Sequence, residues 1–258
     1  MRYRLFPKLP GLEVSTLGFG CMRLPTLGGD PARIDEELAT RLLHEAIDAG
    51  VTYVDTAYPY HAGESERFLG RALQHGYRAR VQLATKLPVW LVTTEADWER
   101  LLDEQLRKLA TDRIDFYLLH ALNAERWETV RRLGGLAALE RARRDGRIGH
   151  VGFSFHGSLE AFRAILDGYE WEFCQIQYNF LDEHYQAGRA GLRHAARRGV
   201  GVVVMEPLRG GALTRAPEPV ARLWAESGRT WSPTEWALRW IWHHPEVTTV
   251  LSGMNARE

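Results

Sequence analysis

The chain has 258 residues, 45% hydrophobic and 26% charged, and its 33 basic and 33 acidic side chains give a formal net charge of zero. That composition suits a globular chain with a sizeable core, and the even charge balance gives no electrostatic reason to expect nucleic acid or an anionic membrane as partner. Two separated cysteines, Cys21 and Cys174, make no disulfide framework and fit a reducing compartment. With no signal-peptide core at 1–11 and no apolar run of roughly 18 residues, the expected location is the cytoplasm.

Arg2–Val14 holds Pro7, Pro10 and Gly11, which suggests a small hairpin that could close the floor of a barrel. The first strand is expected at Leu17–Cys21. Leu38, Leu42, Ala46 and Ile47 then form a helical stripe, followed by strands at Thr52–Asp55 and Val81–Lys86. Leu102, Leu106 and Leu109 mark a second helix and Ile114–His120 the next strand; Leu136, Leu139 and Ala142 mark a third helix. Arg141, Arg143, Arg144 and Arg147, on or just past it, read as a solvated face. Strands follow at Gly149–Ser154, Phe173–Gln177, Gly201–Met205 and Thr248–Ser252. Gly50, Gly146 and Gly199 sit where helices should end.

Short apolar strands alternating with helices imply βαβ units and a parallel sheet. Eight of them over this length fit one (β/α)₈ TIM barrel domain spanning 1–258. Glu206–Trp231, rich in Gly, Pro and Ala, reads as a long loop on the C-terminal face, ahead of a helix near Pro233–Trp242. His243-His244 reads as the cap of that helix rather than a metal pair. The chain stops soon after the eighth strand, so the final helix is expected to be missing or truncated, as in a shortened form or a fragment.

Barrel enzymes place catalytic groups at the C-terminal strand ends. Asp55, Lys86 and His120 end the second, third and fourth strands, and Tyr60 follows in the loop after Asp55. A phenol near pKa 10 is a poor acid at neutral pH, and an adjacent ammonium is expected to lower that pKa. A carboxylate can fix the ammonium, and an imidazole can orient a carbonyl. Tyr58, Trp90, Leu122, Asn123 and His156 also lie past strand ends. Of these, Tyr58, Trp90 and Asn123, with His120, are expected to line a pocket for a carbonyl compound with an apolar body.

The run Asp55-Thr56-Ala57-Tyr58-Pro59-Tyr60, followed by Gly63-Glu64-Ser65-Glu66 and Leu69-Gly70, resembles the aldo-keto reductase signature D-T-A-x-x-Y…G-x-S-E…L-G. Thr85-Lys86 and Asp115-Phe116-Tyr117-Leu118-Leu119-His120 are similar to the family's lysine strand and histidine strand. The resemblance runs from about Gly18 to Asn255 and implies a tetrad of Asp55, Tyr60, Lys86 and His120. It also implies NAD(P)H-dependent reduction of an aldehyde or ketone, a small-molecule carbonyl, with Tyr60 as general acid. A nucleotide-binding regulatory subunit on the same barrel, with little turnover, is the alternative.

No G-x-G-x-x-G, phosphate-loop or C-x-x-C motif occurs in the chain. The cofactor contacts are therefore those the resemblance implies. Ser154 and Gln175 would hold the nicotinamide carboxamide, while Pro207, Leu208, Gly210 and Gly211 would wrap the pyrophosphate. Ser252, Gly253 and Met254 fall on the adenosine side, and Gly20, Met22 and Asp55 complete the set. Phe155 stands where the family usually has Asn, and Asn179 is a candidate to replace that contact. NADP(H) is the family default and NAD(H) the other choice. The Gly152-Phe153-Ser154-x-His156-Gly157 pattern is similar to a branch carrying a cysteine-rich ferredoxin-like extension. This sequence lacks those cysteines, so no iron–sulfur cluster is expected in it.

Overall fold

A computed structural model describes residues 1–256; the last two, Arg257 and Glu258, lie outside the described residues. The chain opens with an antiparallel hairpin, β1 (Tyr3–Leu5) and β2 (Glu13–Ser15). There follow β3 (Leu17–Gly20), α1 (Glu36–Asp48), β4 (Tyr53–Asp55), α2 (Glu64–Ala72), β5 (Gln82–Leu87), α3 (Ala96–Lys108) and β6 (Ile114–Leu122). Two helices, α4 (Ala124–Arg132) and α5 (Gly135–Arg144), precede β7 (Ile148–Phe155). The chain continues with α6 (Leu159–Asp167), β8 (Phe173–Gln177), α7 (Gly188–Arg197), β9 (Gly201–Met205), α8 (Glu218–Glu226), α9 (Pro233–Trp242) and β10 (Val247–Ser252).

Strands β3 to β10 close into an eight-stranded parallel barrel, β10 pairing with both β3 and β9. The fold expected from the sequence is therefore present. No helix follows β10 among the described residues, and none of their helices is long and apolar enough to cross a membrane.

Side chains alternate between the two faces of each strand. Val54, Leu83, Tyr117 and Val202 pack outward in one core shared with the helices. Tyr53, Ala84, Phe116, Leu118, Phe173, Val203 and Leu251 fill the barrel interior. That alternation decides where the site lies, because Asp55, Lys86 and His120 share parity with Tyr53, Ala84 and Leu118 and so face inward, each one inward position further along its strand.

The hairpin does close the floor. Phe6, Leu9 and Val14 join the interior cluster, with the Phe6 ring 4.9 Å from that of Phe116 and 6.1 Å from that of Phe173. A Cβ at Gly201 would lie 2.3 Å from the Phe6 ring, so this strand position needs glycine for the plug to enter. The helix-ending glycines behave as read: Gly50, Gly146 and Gly199 have φ of +99°, +75° and +66°.

Two expectations change. Cys21 leaves its strand and starts a short 3₁₀ helix, Cys21–Arg23. Glu206–Trp231 is not a continuous loop, since it contains a 3₁₀ segment at Arg209–Thr214 and the helix α8.

Candidate active site

The C-terminal ends of the barrel strands surround a cleft of 380 Å³. Asp55, Tyr60, Lys86 and His120 all line it. Lys86 is the centre of the arrangement. Its ammonium donates to Asp55 Oδ1 at 2.6 Å, to the Thr56 carbonyl at 2.7 Å and to the Tyr60 hydroxyl oxygen at 3.3 Å. Lys86 and Asp55 are almost completely buried, where an unpaired charge would be costly.

Local structure holds each group in place. Tyr60 begins a short 3₁₀ segment in which His61 and Ala62 have positive φ. The His61 ring ties this segment down, with Nε2 accepting from the Leu24 amide at 3.1 Å and Nδ1 lying 2.8 Å from the Pro31 carbonyl. At His120 the β6–β7 register shifts between Leu119 and Leu122, and Ala121 takes a left-handed φ of +52°. A bulge of this kind re-aims a side chain at a strand end. The Ala121 amide donates to Ser154 Oγ at 2.7 Å, joining the two strand ends.

The electrostatics differ in one respect from the sequence expectation. Burial raises the Tyr60 phenol above its ordinary pKa; the Lys86 charge opposes that rise and the Asp55 charge adds to it. The ammonium does not bring the resting phenol below its ordinary value, so Tyr60 is protonated at neutral pH. Burial alone would lower the Lys86 pKa, but Asp55 and Tyr60 outweigh it and hold the ammonium above its usual range. Burial also raises the Asp55 carboxyl, against the pull of Lys86. His120 is brought down to about 2, first by burial and then by the charge of Lys86, and is therefore a neutral imidazole.

Most expected cofactor contacts converge on the same cleft: Gly20, Met22, Ser154, Gln175, Pro207, Leu208, Gly210, Gly211, Ser252 and Gly253 all line it. Met254 does not, because it packs against the outer core while Asn255 faces the cleft. Asn179 is not available as a carboxamide donor. Its side chain donates to Asp182 at 2.9 Å and to the Glu206 carbonyl at 3.3 Å, and accepts from the Leu181 and Asp182 amides. Phe155 is fully buried, its ring 5.2 Å from that of Phe162.

The expected substrate residues divide. Trp90 lies beside His120, ring centres 5.0 Å apart. Tyr58 turns away from the cleft, donating to Glu104 at 3.1 Å with the Lys108 ammonium 3.8 Å over its ring. Asn123 caps α4 by accepting from the Arg126 amide at 2.9 Å.

Several cleft residues escaped the sequence reading, among them Arg23, Met205, Glu206, Thr214 and Leu251. Met205 is inward-facing by the parity of β9, and Gln175 Nε2 reaches its sulfur at 3.7 Å. Arg23 spans the mouth and donates to the Gly210 carbonyl at 3.0 Å. A cation three residues past the end of β3 was the available signal for it.

A dinucleotide fits this lining. Gln175 Oε1 and Asp55 Oδ2 are buried without a hydrogen-bond partner, so donors from a ligand would satisfy them. Gly210 and Gly211 have φ of +68° and +96°, a backbone suited to close approach by an anion.

The profile of the Aldo/keto reductase family matches residues 16–258. The chain belongs to that family. Among proteins similar to this aldo/keto reductase is the Schizosaccharomyces pombe protein named aldo-keto reductase yakc, NADP(+). It is 29% identical over 220 residues, covering 81% of this chain and 62% of the relative; the chain thus spans less than two thirds of that protein. Among solved structures, the holo form of aldo-keto reductase AKR11C1 from Bacillus halodurans is 28% identical with a TM-score of 0.80, over 99% of this chain and 87% of its own. The thermostable aldo-keto reductase Tm1743, in complex with the inhibitor epalrestat, is 26% identical with a TM-score of 0.79, over 100% and 90%.

Proposed function

We propose that the chain is an NAD(P)H-dependent carbonyl reductase that converts an aldehyde or ketone into an alcohol, with Tyr60 as the proton donor. One observation carries the proposal: a buried Lys86 ammonium, fixed by Asp55, donates to the oxygen of a protonated Tyr60 at the bottom of an open cleft.

Because Lys86 already donates to the phenolic oxygen, the Tyr60 proton is free to point at a bound carbonyl oxygen. As that proton leaves, the phenolate forms 3.3 Å from the ammonium, in a setting where charge stabilisation is stronger than in water. Asp55 keeps the ammonium charged and in place. The neutral His120 can donate one N–H to the same carbonyl oxygen and orient it. Ser154 and Gln175 would hold a nicotinamide carboxamide, and Arg23, Gly210 and Gly211 would hold the pyrophosphate. A reduced nicotinamide bound there supplies hydride to the carbonyl carbon. The name of the Schizosaccharomyces pombe relative, which carries NADP(+), supports NADP(H) as the dinucleotide.

The test is steady-state oxidation of NADPH and of NADH with a panel of simple aldehydes, comparing wild type with Tyr60→Phe. A loss of about 10²–10⁴-fold in kcat is expected if the phenol is the general acid. Equal rates would remove Tyr60 from the chemistry.

A further inference from the structure

Glu66 is a carboxylate that the proposed chemistry does not use. It stands in the first turn of α2 with its side chain wholly buried, and a charge that deep is costly unless it is paired and hydrogen-bonded. We propose that Glu66 is a positioning residue: paired with Lys108 behind the barrel wall, it fixes the separation between the Lys86 ammonium and the Tyr60 hydroxyl. The proposal rests on the carbonyl-reductase assignment above and adds to it a residue that lines no part of the cleft.

One carboxylate oxygen holds the Lys86 strand. Oε1 accepts from Thr85 Oγ1 at 2.7 Å and from Gln105 Nε2 at 2.6 Å, and Gln105 Nε2 also donates to the Lys86 carbonyl at 3.1 Å. Neighbouring side chains on a strand point to opposite faces, so Thr85 is gripped outside the barrel while Lys86 points in. Tyr117, on the next strand, donates to Gln105 Oε1 at 2.7 Å, which leaves the amide donors turned toward Glu66 and Lys86.

The other oxygen leads to the Tyr60 loop. Oε2 has no hydrogen-bond partner among the described residues and lies 3.9 Å from Lys108 Nζ. That ammonium also pairs with Glu104 at 2.7 Å and stands 3.8 Å over the ring of Tyr58, whose hydroxyl donates to Glu104. Tyr58 is two residues ahead of Tyr60. The residue before Glu66 adds a second link. Ser65 Oγ lies 2.8 Å from Thr56 Oγ1, and the Thr56 carbonyl accepts from Lys86 Nζ.

These contacts also keep the carboxylate charged. Burial raises the Glu66 pKa, and the hydrogen bonds from Thr85 and Gln105 and the Lys108 charge oppose that rise. The first turn of α2 thus grips the strand that carries the ammonium and the loop that carries the phenol. A grip of this kind acts on rate rather than on binding, because small misplacements of reacting groups slow the chemical step steeply.

The experiment measures kcat and KM for the best aldehyde of the panel above, and Kd for NADPH, in wild type, Glu66→Leu, Glu66→Gln and Thr85→Val. Rates are expressed per NADPH-binding site counted by fluorescence titration, so unfolded protein does not enter them. Glu66→Leu deprives Thr85 and Gln105 of their acceptor and should lose about tenfold or more in kcat, with KM and Kd within about twofold of wild type. Glu66→Gln keeps an acceptor oxygen for both donors and should stay within about threefold of wild type. Thr85→Val removes one donor at nearly constant volume and should lose about three- to tenfold in kcat; it carries the test if Glu66→Leu does not fold. Wild-type kcat per site in Thr85→Val or in a folded Glu66→Leu overturns the proposal. So does a loss taken in KM or Kd instead, or a Glu66→Gln as slow as Glu66→Leu. Tyr60→Phe, assayed beside them, reports separately on the catalytic assignment, which fails if that variant turns over at the wild-type rate.

Discussion

The Lys86 ammonium lies 3.3 Å from the Tyr60 hydroxyl oxygen and 2.6 Å from Asp55 Oδ1, so one buried cation ties a carboxylate to the phenol. The pair contributes in two ways. For folding, Asp55 and Lys86 neutralise each other where neither could stand alone. In the proposed chemistry, the same ammonium would stand beside an oxygen that becomes negative only when the proton departs. An interaction that strengthens as charge develops lowers the barrier rather than merely holding the ground state.

Lys86→Met should therefore damage both. Asp55 would be left buried without its partner, and breaking such a pair costs about 3–5 kcal/mol. The double variant Asp55→Asn/Lys86→Met removes the stranded charge and should recover much of that stability while remaining inactive. Urea unfolding of the single and double variants, alongside NADPH-oxidation assays, separates the two roles. A double variant no more stable than Lys86→Met would show that the pair is not what holds this region together.

Much of this was legible in the sequence, for a physical reason. Strands of a closed barrel are buried on both faces, so Phe116–Leu119 and Gly201–Met205 stand out as compact apolar runs, and inward parity then sets Asp55, Lys86 and His120 on one rim. What escaped depends on contacts distant in the chain. Helix α8 carries Val220, Leu223 and Trp224 at helical spacing but buries none of its residues, and the Gly and Pro residues around it make the whole segment read as loop. Tyr58 reads as a pocket residue until α3 supplies Glu104 and Lys108 on the far side of the loop. The raised Tyr60 phenol depends on enclosure, which adjacency to Lys86 in a motif does not reveal.

The α3 contacts carry a prediction of their own. One turn of that helix reaches the strand that carries Lys86 and the loop that carries Tyr60. Gln105 Nε2 donates to the Lys86 carbonyl at 3.1 Å and to Glu66 at 2.6 Å, while Gln105 Oε1 accepts from Tyr117 at 2.7 Å. Glu104, the residue before it, accepts from Tyr58, two positions ahead of Tyr60. Gln105→Met and Tyr58→Phe should each loosen the Lys86–Tyr60 spacing without touching a substrate. The expected result is a fall of about tenfold in kcat with KM little changed, since small misplacements cost rate steeply. A rise in KM at constant kcat would instead put these residues in substrate binding.

His120 gives the last test, through pH. Its folded pKa is lowered to about 2 by burial and by the Lys86 charge, whereas an unfolded histidine titrates near 6.5. Between those values the unfolded chain binds a proton that the folded one refuses. The contribution of His120 to stability is thus complete above about pH 6.5 and is lost progressively as pH falls toward the folded value, at up to about 1.4 kcal/mol per pH unit. Urea unfolding of wild type and His120→Asn at about pH 7.5, 6 and 5 should show wild type losing ground to the variant only below about pH 6.5. The same neutrality predicts that wild-type kcat/KM has no inflection near pH 6.5 arising from this imidazole. Parallel stability curves, or an acid limb near pH 6.5 that vanishes in His120→Asn, would mean that the ring is charged in the folded enzyme and cannot hold a carbonyl as a neutral donor.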